Sequence, residues 1–384
     1  MIKNNNITKF EKKIISKKNR FIFLKKDLLE IKKIISKKNI LILGAAGSIG
    51  ASFSLYLIEH FSSFNKIFLL DKNENDLTDL NRAIVSHNKN IDVDYICSDL
   101  NEINLDNFLS KKKINILLNF AAVKHVRSEE NIESIHYMIK TNSLNFLPNK
   151  KNFLEKIFSI STDKTVNPQS ILGISKDLME KKLLEFSKKN NIFVSSARFA
   201  NVSFSNGSIL KYAYESLLAN NRFGIPLKIR RFFITHEEAV HLCFKSILER
   251  NNKMIVVPSP KILKKDFLLK YLVSEIAKNL KKRIRYVNKF KKNSYKKLNE
   301  ILLTKPNTHG QKIFEELFDK REVIVIDEDK TIVKVEMRLH RIDINKFMQR
   351  IFKISNVHFL KKEVRKVYKK YSIKKRLSFL SKTI

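Results

Sequence analysis

Cysteine is nearly missing: Cys97 and Cys243 are the only two among 384 residues. That excludes a disulfide framework and a thiolate metal site, and it points to a reducing compartment. No run of about 18 apolar residues occurs, and the basic stretch 1–20 is followed only by Phe21-Ile22-Phe23-Leu24, too short for the apolar segment of a secretion signal. The expectation is a soluble cytoplasmic protein with no membrane span. No repeat with a period of about 20 to 50 residues is present, which excludes a solenoid. The 9 histidines show no metal-ligand spacing, and His236 and His241, five apart, do not share a helix face. No metal is expected.

Acidic residues are scarce, 38 against 76 lysines and arginines, for a formal charge of +38. The excess sits in the flanks. Residues 1–38 hold 13 basic and 3 acidic side chains, 261–300 hold 14 and 3, and 361–384 hold 10 and 1. These segments carry +30, leaving +8 for the remainder, an ordinary value for a globular enzyme. The abundance of Lys, Asn, Ile and Phe fits A/T-rich codons, so a nucleic-acid partner is not expected. A basic surface for acidic partners is the competing reading of the flanks.

Hydrophobic residues make up 43% of the chain, enough for a sizeable core, and the length suggests two or three structural units. In residues 25–38 Leu28, Leu29, Ile31, Ile34 and Ile35 fall at helical spacing, a packing stripe flanked by lysines. From Asn39 the pattern changes to short apolar runs alternating with helical stretches: 40–43, 66–71, 93–99, 114–122, 156–162 and 192–202 read as strands. Such alternation specifies an α/β fold with a parallel sheet covered on both faces. The expected units are a basic helical extension (1–38), a nucleotide-binding unit (39–205), a smaller substrate-binding region (206–345) that can return elements to the main sheet, and a basic C-terminal tail (346–384).

Gly44-Ala45-Ala46-Gly47-Ser48-Ile49-Gly50 follows the first apolar run and opens a helix. Glycines there allow a tight turn and close approach of a pyrophosphate to the helix N-terminus. Asp71 ends the second strand 21 residues after Gly50, where a carboxylate binds the adenosine ribose. Its charge repels a 2′-phosphate, which favours NAD over NADP as the alternative. Asp99, at the end of the third strand, is placed for adenine contacts. A Rossmann-like doubly wound sheet with a smaller C-terminal substrate-binding region is the resulting fold expectation.

Further motifs narrow the reading. The GxxGxxG turn, Asn119-Phe120-Ala121-Ala122 and Ser161-Thr162-Asp163-Lys164 resemble the extended short-chain dehydrogenase/reductase family. The segments AAVKHVRSEEN (121–131), KTN (140–142), STDKTVNP (161–168), LGISK (172–176), RFANV (198–202) and RRFFITHEEAV (230–240) are similar to the nucleotide-sugar 4,6-dehydratases of polysaccharide biosynthesis. The resemblance covers about 39–260, with 20–38 weaker and QKIFEELF (311–318) as a further match.

That resemblance implies a redox-neutral reaction on a nucleotide-activated N-acetylhexosamine such as UDP-N-acetylglucosamine. Hydride leaves C4, the C5 proton is removed, the C6 hydroxyl departs as water and hydride returns at C6. Asp163 is implied as the acid at C6, Lys164 as the base at C5 and Thr162 as the group orienting the C4 hydroxyl; Lys176 would hold the nicotinamide ribose. Ala121 and Ala122 join Gly44, Gly47, Ser48, Ile49, Gly50, Asp71 and Asp99 as implied cofactor contacts. Lys124, His125, Asn201 and Arg231 match positions facing the nucleotide sugar, and a homo-oligomer is implied as well. Arg198 is open between a substrate and a structural role.

One departure stands out. Family members of the short type carry Tyr four residues before the helix lysine; this chain has Leu172. Some longer relatives place Met there. The other YxxxK, Tyr371 to Lys375, follows no apolar strand and reads as chance spacing. The alternatives to a working dehydratase are an epimerase-like or non-catalytic nucleotide-sugar binder of the same fold, and a basic binder of anionic surfaces.

Overall fold

Short apolar runs closed by turns build the centre of the molecule. The computed structural model describes residues 5–87, 91–263, 266–290, 299–305, 316–319, 322, 324–326, 330–338 and 343–366. Six strands arise where apolar runs were read: β1 (Asn39–Leu43), β2 (Lys66–Asp71), β3 (Val93–Cys97), β4 (Ile116–Asn119), β5 (Lys156–Ile160) and β6 (Phe193–Ala197). With Met254–Pro258 they form a parallel array in the order β3-β2-β1-β4-β5-β6-Met254–Pro258. An antiparallel hairpin, Ile324–Ile326 and Ile332–Glu336, extends the array to nine strands. The C-terminal region thus returns two strands to the main sheet.

Ile40, Leu41, Ile42 and Leu43 are fully buried, as expected for a central strand covered on both faces. Phe53 on the helix Ser48–His60 stacks on Phe244 of the helix His236–Ile247 at 4.2 Å between ring centroids. The strand order reverses between β1 and β4, and the crevice beyond their carboxyl ends is where open α/β sheets bind ligands.

A second core lies beside the sheet. The helices Ile209–Leu218 and Leu269–Asn279 pack with a three-stranded parallel sheet made of Phe223–Pro226, Asn299–Thr304 and Ile284–Val287. The N-terminal helix Asn5–Phe10 joins this core, with the Phe10 ring 5.5 Å from Tyr214 and 6.3 Å from Phe204. Arg20 then makes a two-pronged ion pair, 2.7 Å on each arm, to the fully buried Glu238. Glu238 is also the third residue of its helix and closes a capping box begun by Thr235, so one carboxylate holds both a helix start and the N-terminal extension.

A third apolar cluster joins the helix Ile132–Ile139 and the first turns of the helix Ile171–Asn190 to C-terminal residues. Ile344, Phe347, Met348 and Ile351 of the helix Ile344–Phe352, and Leu360 and Val364 of the helical stretch 357–366, cover Ile135, Ile171 and Leu172. Residues 344–366, read from sequence mainly as basic tail, form two amphipathic helices. Tyr371 and Lys375 lie outside the described residues, as do Gln311 to Glu315 of the 311–318 motif.

Among the described residues no helix is long and apolar enough to cross a membrane, and no group of three His, Cys, Asp or Glu is arranged around a metal-sized space.

Candidate active site

The glycine turn leaves β1 through Gly44 in the left-handed region, at φ 70°. A Cβ on Gly44 would stand 2.6 Å from the Ala121 backbone nitrogen, and one on Gly50 would stand 2.1 Å from the Gly44 carbonyl oxygen. Both glycines are therefore demanded by backbone contact. Gly47 differs: a Cβ there meets only the Gly44 carbonyl oxygen, at 3.3 Å. Its missing side chain leaves the turn open at the start of the Ser48–His60 helix, whose N-terminus has no side-chain cap. This is the cradle a pyrophosphate requires.

Asp71, at the end of β2, accepts the Ala46 N–H at 3.0 Å through one carboxylate oxygen and the Asn73 N–H at 3.0 Å through the other. The carboxylate is thereby fixed against the glycine turn. Asp99 accepts the Asn101 N–H and side-chain amide at 2.8 and 2.9 Å and the Tyr137 hydroxyl at 2.5 Å. Burial raises the Asp99 pKa, but these donors together with Lys72 outweigh it and hold the carboxyl below its ordinary value. Lys72 donates to the Tyr137 hydroxyl at 2.9 Å, so this ammonium is directed toward Tyr137 and Asp99.

The loop after β4 is pinned from two sides. The Ala121 N–H donates to the Asn119 side chain at 3.1 Å. The buried Asn142 accepts the Val123 N–H at 2.8 Å and donates to the Val123 carbonyl at 2.9 Å and to the Ser175 hydroxyl at 3.0 Å. Asn142, the last residue of KTN, thus ties the 121–125 loop to the helix bearing Lys176. Ala122, Lys124 and His125 are exposed along this loop. His125 fits against Gly207, where a Cβ would lie 2.2 Å from the imidazole Cε1.

Beyond β5, Thr162 caps the short turn Asp163–Thr165. Its hydroxyl donates to Asp163 at 2.7 Å, and the Lys164 ammonium sits 3.2 Å from the same carboxylate oxygen. Asp163 is 2% exposed whereas the Lys164 side chain is 36% exposed, so the ion pair has one buried and one accessible end. Lys176 is buried and donates to the Ile160 carbonyl at 3.0 Å. Burial pulls its pKa down to about 8, an ammonium close to titrating at neutral pH.

Leu172, one turn before Lys176, is buried in the third apolar cluster, and its N–H donates to the buried Glu129 at 3.0 Å. Ser161 donates to Glu180 at 2.6 Å, Glu180 accepts Arg198, and Arg198 continues to Glu322 at 2.9 Å. Arg198 is 4% exposed and fully engaged in this chain of charges, which makes it structural. Glu129, Glu180 and Glu322 carry no local sequence signal of these partnerships.

Asn201 and Arg231 lie on short neighbouring strands. The Asn201 amide donates to the Phe232 carbonyl at 3.3 Å, and Arg231, 9% exposed, donates to the Arg230 carbonyl at 2.8 Å. A cavity of about 500 Å³ between the N-terminal segment and the helices Ser48–His60 and His236–Ile247 touches the glycine turn through Ala46 and Ser48 but contains neither Asp163 nor Lys176. It lies apart from the candidate chemistry.

The strand order, the glycine turn with Asp71, and the Thr-Asp-Lys turn beside a helix lysine define a Rossmann-fold protein of the extended short-chain dehydrogenase/reductase class. The chain belongs to the polysaccharide biosynthesis protein family, whose model matches residues 40–337. It is 27% identical over 365 residues to the uncharacterized membrane protein MJ1061 of Methanocaldococcus jannaschii, covering 89% of this chain and 98% of that one. It is 26% identical over 294 residues to a UDP-N-acetylglucosamine 4,6-dehydratase (inverting) of Campylobacter jejuni, covering 73% of this chain and 82% of that protein. Among solved structures, UDP-N-acetylglucosamine 4-epimerase from Methanobrevibacter ruminantium superposes with a TM-score of 0.56 at 16% identity, over 86% of this chain and 98% of that one. This last likeness concerns the fold alone.

Proposed function

We propose that the protein is an NAD-dependent 4,6-dehydratase of a UDP-linked N-acetylhexosamine, making a 4-keto-6-deoxy sugar for surface glycan synthesis. The observation that carries the reading is the Thr162-Asp163-Lys164 turn, in which a hydroxyl and an ammonium share one buried carboxylate oxygen, 2.7 and 3.2 Å away.

The turn built by Gly44, Gly47 and Gly50 and the Asp71 carboxylate fit a dinucleotide, and Ser48, Ile49, Asp99, Ala121, Ala122 and Lys176 complete the proposed set. NAD held there would supply the hydride chemistry, oxidation at C4 and reduction at C6. Everything else falls to side chains. Lys164, on the accessible side of the pair, gives its ammonium proton to solvent, removes the C5 proton as the neutral amine once a C4 ketone acidifies it, and returns a proton to C5 as the hydride arrives at C6. Asp163 donates a proton to the C6 hydroxyl, so that water leaves. Two such groups on one short turn reach adjacent carbons without rearrangement.

Leu172 has no proton to exchange and sits in an apolar cluster. The C4 hydroxyl proton therefore passes to Asp163 through Thr162, whose hydroxyl already donates to that carboxylate. The proton accepted at this stage is the one Asp163 delivers at C6, and once Lys164 has returned its proton to C5 both groups are back in their starting states for the next cycle. Lys124, His125, Asn201 and Arg231 are assigned to the nucleotide sugar. Incubation with UDP-N-acetylglucosamine and NAD, followed by mass spectrometry, tests the reading: a product lighter by one water supports it, and recovery of unchanged substrate from folded protein refutes it.

A further inference from the structure

Lys211 occupies an electrostatically awkward place. It is the third residue of the helix Ile209–Leu218, whose first turn contains no acidic side chain. A cation there opposes the helix dipole. The Lys211 ammonium donates to the Asn206 side-chain oxygen at 2.9 Å, and the acid one turn on, Glu215, is 3.5 Å away and 58% exposed. At the same turn, Lys124 reaches the Ser205 hydroxyl at 3.4 Å, bridging 81 residues of sequence. The Asn206 N–H donates to the Ser48 hydroxyl at 2.7 Å, which sets the turn directly against the start of the glycine-turn helix. Lys124 is exposed along its loop but crowded at its ammonium end, where desolvation and then the positive charges of Lys211 and Lys164 pull its pKa down to about 8. Cations have been gathered where they repel one another and where a helix end adds positive potential. A fold keeps such local conflict where a ligand relieves it.

We propose that Lys211 and Lys124 form a two-ammonium clamp for the diphosphate of the nucleotide-activated substrate, seated at the turn 205–208. The inference rests on the nucleotide-sugar reading and adds to it a binding residue, Lys211, that no motif marks. Lysine ammonium groups bind phosphate as compact point charges, and two of them match an anion with charge on both phosphates.

The test is calorimetry with UDP, with inorganic pyrophosphate as a probe independent of the base, and with uridine as a ligand lacking phosphate. Lys211→Gln is expected to weaken UDP and pyrophosphate roughly tenfold or more while leaving uridine unchanged, and Lys211→Arg to restore most of the loss. The salt dependence of UDP binding is expected to become shallower in Lys211→Gln. Unchanged UDP affinity in Lys211→Gln, or equal weakening of uridine, overturns the clamp even if the wild type dehydrates its sugar. Lys211-dependent binding of UDP without any water loss from the nucleotide sugar upholds the clamp and removes the dehydratase assignment. Circular dichroism of each variant establishes that the fold is intact.

Discussion

Replacing Arg198 by methionine tests how the turn carrying Asp163 is held in place. Arg198 donates to Glu180 at 2.7 and 2.5 Å and to Glu322 at 2.9 and 3.1 Å. The Glu180 side chain is 6% exposed and its other partner is the Ser161 hydroxyl, two residues before Asp163. Methionine fills similar volume but takes the guanidinium from two carboxylates, the buried Glu180 and the 19% exposed Glu322. Removing one partner of a buried pair costs about 3–5 kcal/mol, most of it desolvation of the abandoned ion. Urea unfolding followed by circular dichroism should register that loss. The double variant Arg198→Met/Glu180→Leu removes the more deeply buried of the two orphaned carboxylates, leaving the 19% exposed Glu322 nearer solvent, and should recover most of the loss, because apolar replacement of a buried pair is close to neutral. Water-loss activity should fall in both variants, since the anchor of Ser161 is disturbed in the first and removed in the second. A loss below about 1 kcal/mol for Arg198→Met, or a double variant no more stable than the single one, would refute the reasoning that charge compensation holds this loop.

Asp163→Asn and Lys164→Ala should each reduce water loss about 100-fold or more while leaving dinucleotide binding intact, as judged by single-turnover assays and calorimetry; near-normal turnover in either one contradicts the assigned roles. NAD should bind several-fold more tightly than NADP, because the Asp71 carboxylate, fixed by two backbone N–H groups, repels a 2′-phosphate by on the order of 1 kcal/mol. Equal calorimetric affinities would show that Lys72 turns from Tyr137 toward the phosphate. His241 stacks on Phe23 at 4.1 Å and its pKa is lowered from 6.5, first by burial. Its neutral form is favoured in the fold, so stability is full above the unfolded value and declines as pH falls below about 6.5 toward the lower folded value. His241→Phe should flatten that slope in unfolding titrations between about pH 7 and 5; an unaltered slope would assign it to other groups.

How much of this was legible beforehand depends on the distance over which each feature is encoded. The six strands could be read because a strand buried on both faces must be apolar at every position, and Ile40 to Leu43 or Ile116 to Leu118 satisfy that within a few residues. The glycine turn is equally local: Gly44 and Gly50 meet across six residues, and the clash that excludes a Cβ on Gly50 is with the Gly44 backbone. Asp71 and the Thr162-Asp163-Lys164 turn follow, since a side chain at a strand's carboxyl end faces the crevice whatever the remainder does.

Tertiary structure alone decided the partnerships between distant charges and the roles of the two ends of the chain. In a sequence with 76 basic residues, nothing local separates Lys211 from a solvated lysine, and only the turn at 205–208 brings it to the side of Lys124. Arg198 could be a substrate contact or a strut until Glu180 and Glu322 arrive from separate segments to saturate its guanidinium. The basic N-terminal residues became part of a core because Phe10 finds Phe204 and Tyr214, and Arg20 finds Glu238, 218 residues away. The C-terminal residues likewise ordered against Leu172 because an apolar helix face was there to be covered. Periodicity reveals that a side chain will be buried; only the assembled chain decides against what, because pairing depends on which surfaces the loops bring within contact distance.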